Sequence, residues 1–150
     1  MRSFWKSISQ LVRHAIFYIG RQEGSAGERA RGLGIGIFCG CLPFFGFQII
    51  LSIAAASLLR GNHLLATAGT FISNPFTYVP LYWFNYRVGE VLAGSSSSLD
   101  FKAFSRDALW EMGWTFSSRL LIGSGVVAAI ASISLSLVVY VLLRRYNTTG

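Results

Sequence analysis

Charge is scarce in this chain. Asp, Glu, Lys and Arg make up 13% of its 150 residues, about half of the ~25% usual for soluble domains. A surface that poor in charge does not stay dispersed in water, and the mean hydropathy of +0.52 points to lipid as the solvent. Acidic groups are scarcest, 6 against 13 basic residues. None lies between Gly32 and Tyr86, so that stretch holds no carboxylate pair for acid–base catalysis and no carboxylate proton relay. Cys39 and Cys41 are the only cysteines. Two residues apart on a helix they do not face each other, and no nearby Cys or His completes a tetrahedral metal site. They read as packing residues rather than a metal or redox pair. His63 stands alone in a short polar turn beside Arg60 and reads as an interfacial residue, not a base. No enzyme activity, no metal and no cofactor is expected.

Gly32–Tyr86 is the stretch around which the chain is organised. It holds one charged residue, Arg60, between uncharged runs of 28 and 26 residues. Each run is long enough for a bilayer, and each is broken: the first by Pro43 and Gly46, the second by Asn74-Pro75 and Pro80. Proline lacks an N–H and clashes with the preceding turn, while glycine accepts a sharp backbone. Irregular backbone at membrane depth must be buried in protein or line a wet cavity. Two broken segments sheltering each other are expected, kinked or re-entrant. A weak likeness between Gly36-x-Phe38…Pro43-Phe44 and Gly69-x-Phe71…Pro75-Phe76 suggests an internal repeat of the kind found around transporter sites; two kinked helices would show the same pattern. Gly32, Gly36 and Gly40 form a smooth small-residue stripe for helix packing. Gly32-x-Gly34-x-Gly36 follows no strand, and no acidic residue follows it at the distance a nucleotide loop needs.

Around this core, residues 2–20 read as an amphipathic interface helix, with Phe4, Ile8, Leu11, Val12, Ala15, Ile16 and Ile19 on one face. A helix packed on a soluble partner is the other reading. Gly20 and Gly24–Gly27 read as a stop and a loop. Gly94–Ser98 is a linker, and Asp100 caps a second amphipathic helix over residues 100–118. Leu120–Leu143 is 24 uncharged residues, about 36 Å of helix, and reads as a transmembrane helix. Its small residues Gly125, Ala129, Ser132 and Ser136 are expected to dock on the glycine stripe. The fold class is thus an all-α integral membrane protein: two broken apolar segments, one C-terminal transmembrane helix and two interfacial helices, in a single domain of residues 1–150.

Basic residues flank the apolar runs rather than gathering on one polar face. That suits anionic lipid headgroups and topology control, not nucleic acid. No uninterrupted apolar signal region opens the chain. Residues 1–31 carry six basic and two acidic residues, and Arg144-Arg145 follow the last helix, so both termini are expected in the cytosol. With one crossing by the last helix, 32–86 must cross a net odd number of times, as one span plus one re-entrant loop would; two full spans would put the C-terminus outside and make Arg144-Arg145 an exception. Candidate contacts to a lipid headgroup or small solute are Gln48, Asn74, Thr77 and Tyr82 at the breaks, with Arg60 and Arg87 just outside the runs for a phosphate. For Asn74, pairing with freed backbone is the plainer role. The alternative function is a non-catalytic scaffold or accessory subunit, as a homo-oligomer or in a larger membrane complex.

The stretch Gly36–Gln48 (GIFCGCLPFFGFQ), with Asn62–Leu64 (NHL), Ser73–Tyr82 (SNPFTYVPLY) and Tyr86–Gly89 (YRVG), resembles a family of small bacterial inner-membrane proteins catalogued as a domain of unknown function. That family's pattern is roughly G-x-F-x-G-x-x-P-x-x-G-x-Q, N-P-x-T-x-x-P-x-Y and Y-x-x-G. The matching positions include Gly36, Gly40, Pro43, Gly46, Pro75, Pro80 and Gly89. The resemblance implies the fold class and residence in the bacterial inner membrane, and no activity. Some members look like appendages of glycosyltransferase-like enzymes, a hint of lipid-linked sugar chemistry.

Overall fold

The computed structural model describes residues 10, 14, 17–44, 46–94 and 106–147. Among them are five labelled α-helices and no strand: α1 (Ala26–Cys41), α2 (Gln48–Leu58), α3 (His63–Thr70), α4 (Tyr78–Ala93) and α5 (Arg106–Asn147). The interface helix expected over 2–20 lies largely outside the described residues; Phe17–Gly20 are helical.

α1 starts earlier than the glycines suggest. Ser25-x-x-Glu28 is a capping box: the Glu28 N–H donates to the Ser25 hydroxyl at 3.2 Å, and the Ser25 N–H donates to the Glu28 carboxylate at 2.6 Å. The Ser25 backbone N–H, and then its hydroxyl, hold Glu28 below the ordinary carboxylate value. Gly27, expected in a loop, is therefore helical. α1 ends at Leu42, extended at ψ 143°, because the following Pro43 disfavours a helical residue before it. Gly46 takes φ +80° at the tip, and α2 returns toward the start of α1. There Asn62 N–H donates to Glu28 O at 2.9 Å, and Arg60 takes φ +52°. Asn62 caps α3 by accepting the Leu65 N–H at 2.9 Å, and its amide reaches Glu23 O at 2.9 Å. α1 and α2 thus form a helical hairpin.

α3 runs parallel to α1. A Cβ on Gly32 would fall on the Asn62 backbone, one on Gly36 on the Ala66 carbonyl, and one on Gly40 against Thr70 and Ile72; each step along α1 is matched by the same step along α3. The stripe expected to receive α5 receives α3 instead, and Gly36 and Gly69 face each other across the crossing. α5 lies on a neighbouring strip of α1, where Gly34 meets Ser132 and Ser136 and Ile37 and Cys41 pack on Ala128. Gly125 faces open space.

The separate amphipathic helix over 100–118 is not observed: from Arg106 the chain is one helix of 42 residues through the expected 120–143 segment, about 63 Å long. No proline interrupts it, and Gly113 alone does not stop it. Residues 100–105, with the cap expected at Asp100, lie outside the described residues. α5 runs antiparallel to both α4 and α1. Its Arg119–Gly123 portion packs on Asn85 and Gly89 of α4, and its later turns pack on α1, where the Ser136 hydroxyl donates to Ala30 O at 2.8 Å. α4 therefore continues in the direction of α3, beyond the end of α1. Pro80, expected to be a break, sits in the first turn of α4, where its missing N–H has no intrahelical partner to lose.

The interior is small and polar, and the outside is large and apolar. Buried residues include Gln48, Ser52, Thr70, Ser73, Asn85, Arg119, Ser124 and Ser132 beside Ala30, Ala56, Ala66 and Ala128. Exposed residues include Ile50, Leu58, Phe76, Val79, Val91, Ile130 and Ile133. Among the described residues one helix, Gly113–Arg145, is long and apolar enough by itself to cross a membrane.

Candidate functional site

Two places hold chemistry beyond helix packing. The first is where the irregular segments 42–47 and 71–77 meet. The last carbonyls of α1 have no intrahelical donor, and α4 supplies donors. Asn85 Nδ2 donates to Cys41 O at 3.0 Å, and the Tyr82 hydroxyl donates to Leu42 O at 3.2 Å. Asn85 Nδ2 also donates to Ser124 Oγ of α5 at 3.0 Å. On the other side, Ser73 Oγ donates to the buried Gln48 Oε1 at 3.0 Å. This polar knot joins residues of α1, α2, α4 and α5 and the loop after α3. Asn85 is fully buried, and its Oδ1 has no hydrogen-bond partner.

Gln48 and Tyr82, both candidates from the sequence, belong to this knot. Asn74 and Thr77 serve their own loop. Asn74 Oδ1 accepts the N–H groups of Phe76 (3.0 Å) and Thr77 (3.1 Å), and the Thr77 hydroxyl donates to Ile72 O at 2.7 Å. Arg60 and Arg87 do not converge. Arg60 lies at the base of the hairpin, before α3, while Arg87 lies beyond the knot on α4, paired with Glu90 at 2.7 Å on the surface. Asn85 and Ser124 complete the knot, and the sequence does not mark either of them. Asn85 was one polar residue among several in its run, and Ser124 sits in an apolar helix; no local signal pairs them.

The second place is an open groove of about 790 Å³ between α1, α2 and α5. Ile35, Phe38, Leu51, Ala55, Leu59 and Ile133 make its apolar walls. Ser132 and Ser136 line it as well, but their hydroxyls donate to backbone carbonyls of Ala129 and Ala30. Arg31, near the start of α1, lies at one end, and Phe44, past the end of α1, lies at the other. One guanidinium N–H of Arg31 donates to Arg60 O at 3.2 Å; a guanidinium carries five, which leaves donors for an anion. Such a groove suits an apolar chain with a negative group at one end. Among the described residues no cluster of His, Cys, Asp or Glu is placed to hold a metal ion.

No curated protein and no solved structure matches the chain. From residue 9 to residue 149 it matches the model of a family described as uncharacterized protein conserved in bacteria (DUF2062), and this protein belongs to that family.

Proposed function

We propose that this protein is embedded in the bacterial plasma membrane and binds an anionic amphiphile in the groove between α1, α2 and α5. The apolar chain lies along the groove walls, and the charged headgroup sits at Arg31. The observation that carries this reading is the pairing of an apolar groove with one cation at its end. The Arg31 guanidinium, which also feels the nearby Glu28 carboxylate, suits the phosphate of a net-anionic headgroup; a zwitterionic headgroup carries the same phosphate with a cation attached, which Arg31 repels.

Membrane residence is supported by the inverted distribution of side chains. Soluble monomers rarely expose contiguous apolar patches of more than a few hundred Å², whereas here exposed Ile, Leu, Val and Phe recur on α2, α4 and α5. Small residues at the helix contacts are what membrane bundles use. In this arrangement the α1–α2 hairpin enters the bilayer and returns. α3 and α4 cross in series, with the knot sheltering the irregular backbone between them. α5 crosses back. Arg31, Arg60 and Arg144-Arg145 then share one side, which the positive-inside rule makes cytosolic. Binding, and movement of a headgroup along the groove, is the role this lining suits.

Native mass spectrometry of the full-length protein, titrated with phosphatidylglycerol and phosphatidylcholine, tests the reading. Preferential retention of phosphatidylglycerol is expected. Arg31→Gln should remove the preference, and Ala55→Phe should reduce binding of both lipids by filling the groove. Equal retention of the two lipids by the unmodified protein would overturn it. A second reading, docking of another membrane protein as a scaffold or subunit, draws on α5. Ile130, Ile133 and Leu137 are exposed on it, and Gly113 and Gly125 face open space. A stoichiometric partner retained in mild detergent, and lost in Gly125→Leu, would favour that reading.

A further inference from the structure

The knot contains an acceptor that the protein itself does not satisfy. Asn85 is fully buried, and its Oδ1 faces no donor. A buried unpaired acceptor is costly, and the cost grows where no bulk water is near. Its surroundings are rich in oxygen. Asn85 Nδ2 lies 3.0 Å from both Cys41 O and Ser124 Oγ, so the neighbouring Oδ1 belongs to the same small cluster. The Leu42 carbonyl already accepts the Phe44 N–H at 2.8 Å and the Tyr82 hydroxyl at 3.2 Å, so the oxygens open to a further ligand are Asn85 Oδ1, Cys41 O and Ser124 Oγ. Cys41 and Leu42 end α1, and a helix C-terminus carries about half a negative charge. No carboxylate takes part in the cluster's hydrogen bonds.

We infer that this cluster binds a small monovalent cation of the sodium class. Carbonyls at the end of an interrupted helix, joined by side-chain oxygens of crossing helices, are the donor set by which membrane proteins hold sodium without a fixed negative charge. Sodium is a hard cation and takes oxygen ligands, as other hard cations do. The cation satisfies Asn85 Oδ1 and neutralises the partial charge of the α1 terminus in one step. It also ties together the end of α1, the middle of α4 and α5 at Ser124, the three elements that fix how far apart the two halves of the core sit. The inference rests on the knot alone and stands whether or not a lipid occupies the groove.

The test is thermal unfolding of the full-length protein in detergent, followed by the fluorescence of its four tryptophans. NaCl, KCl and choline chloride are compared at equal ionic strength. The midpoint is expected to rise by a few degrees in Na⁺ over choline and to saturate with concentration, since a ligand that binds only the folded state stabilises it by mass action. Asn85→Leu should abolish the sodium-specific rise. If that variant does not fold, Ser124→Ala decides; it should weaken the apparent sodium affinity at least tenfold. Superimposable midpoints in all three salts would overturn the inference and assign the unpaired oxygen to a buried water. So would an unchanged sodium response in whichever of the two variants folds.

Discussion

The side-chain amide of Asn85 donates to the carbonyl of Cys41 at 3.0 Å, joining the middle of α4 to the last turn of α1. Pro43 ends α1, and a residue far away in sequence receives what that ending leaves exposed. Asn85→Ala should therefore destabilise the protein by about 1–3 kcal/mol for the unpaired carbonyl alone, with a further loss for the cavity. Asn74→Ala, which disturbs only its own loop, should cost less. Midpoints of thermal unfolding in detergent compare the two.

The glycines separate into those in contact and those in the open. Gly36→Ala would drive a methyl group into the Ala66 carbonyl, and the nearest atoms are backbone that has nowhere to move. The expected loss is at the upper end of the overpacking range, about 3 kcal/mol. Gly89→Ala, against the Arg119 carbonyl, should behave likewise. Gly125→Ala meets nothing within 4 Å and should gain up to about 1 kcal/mol from helix propensity. Equal effects at positions 36 and 125 would mean that α1 and α3 do not touch as described.

Glu28 gives a pH dependence with a definite sign. Its folded carboxyl titrates below the ordinary value of 4.5 because the Ser25 N–H and then the Ser25 hydroxyl favour the charged form. Its contribution is complete above the unfolded pKa and disappears as pH falls through the lower folded pKa. Unfolding midpoints measured from pH 7 down to pH 3 should fall on the acid side. In Glu28→Gln the same series should fall less steeply.

Topology offers a direct check of the membrane arrangement. In right-side-out and inverted vesicles, Arg60→Cys and Arg144→Cys should react with an impermeant maleimide from one side, and Glu90→Cys from the other. Cys39 and Cys41 are buried and should stay silent. Labelling of positions 60 and 90 from the same face would exclude a crossing by α3 and α4 in series.

Much of this was written in local chemistry. The lengths of the apolar runs pointed to helices, and Pro43 with Gly46 marked the hairpin tip, because a missing N–H and a tolerated positive φ act on the backbone where they stand. Ser25-x-x-Glu28 is equally legible, a capping box whose helix start outweighs the glycines around it. The docking of the glycine stripe was not legible. A small-residue face says that something comes close, but α3 and α5 both offer small residues, and only the three-dimensional path of α2 brings α3 beside it. The same holds for the candidate site. Gln48 and Tyr82 stand beside their own breaks; Asn85 and Ser124 matter because α4 and α5 cross where α1 ends.

The sequence by itself determined the all-helical class and the stop of α1 at Pro43 with its glycine tip, since each depends on neighbours within one or two turns. The tertiary structure alone decided which distant side chain meets each freed carbonyl, which glycines are crowded, and that Arg31 ends a groove while Arg60 and Arg87 lie far apart. Those relations depend on the direction in which each helix leaves its break, and no residue near a break encodes what waits on the other side.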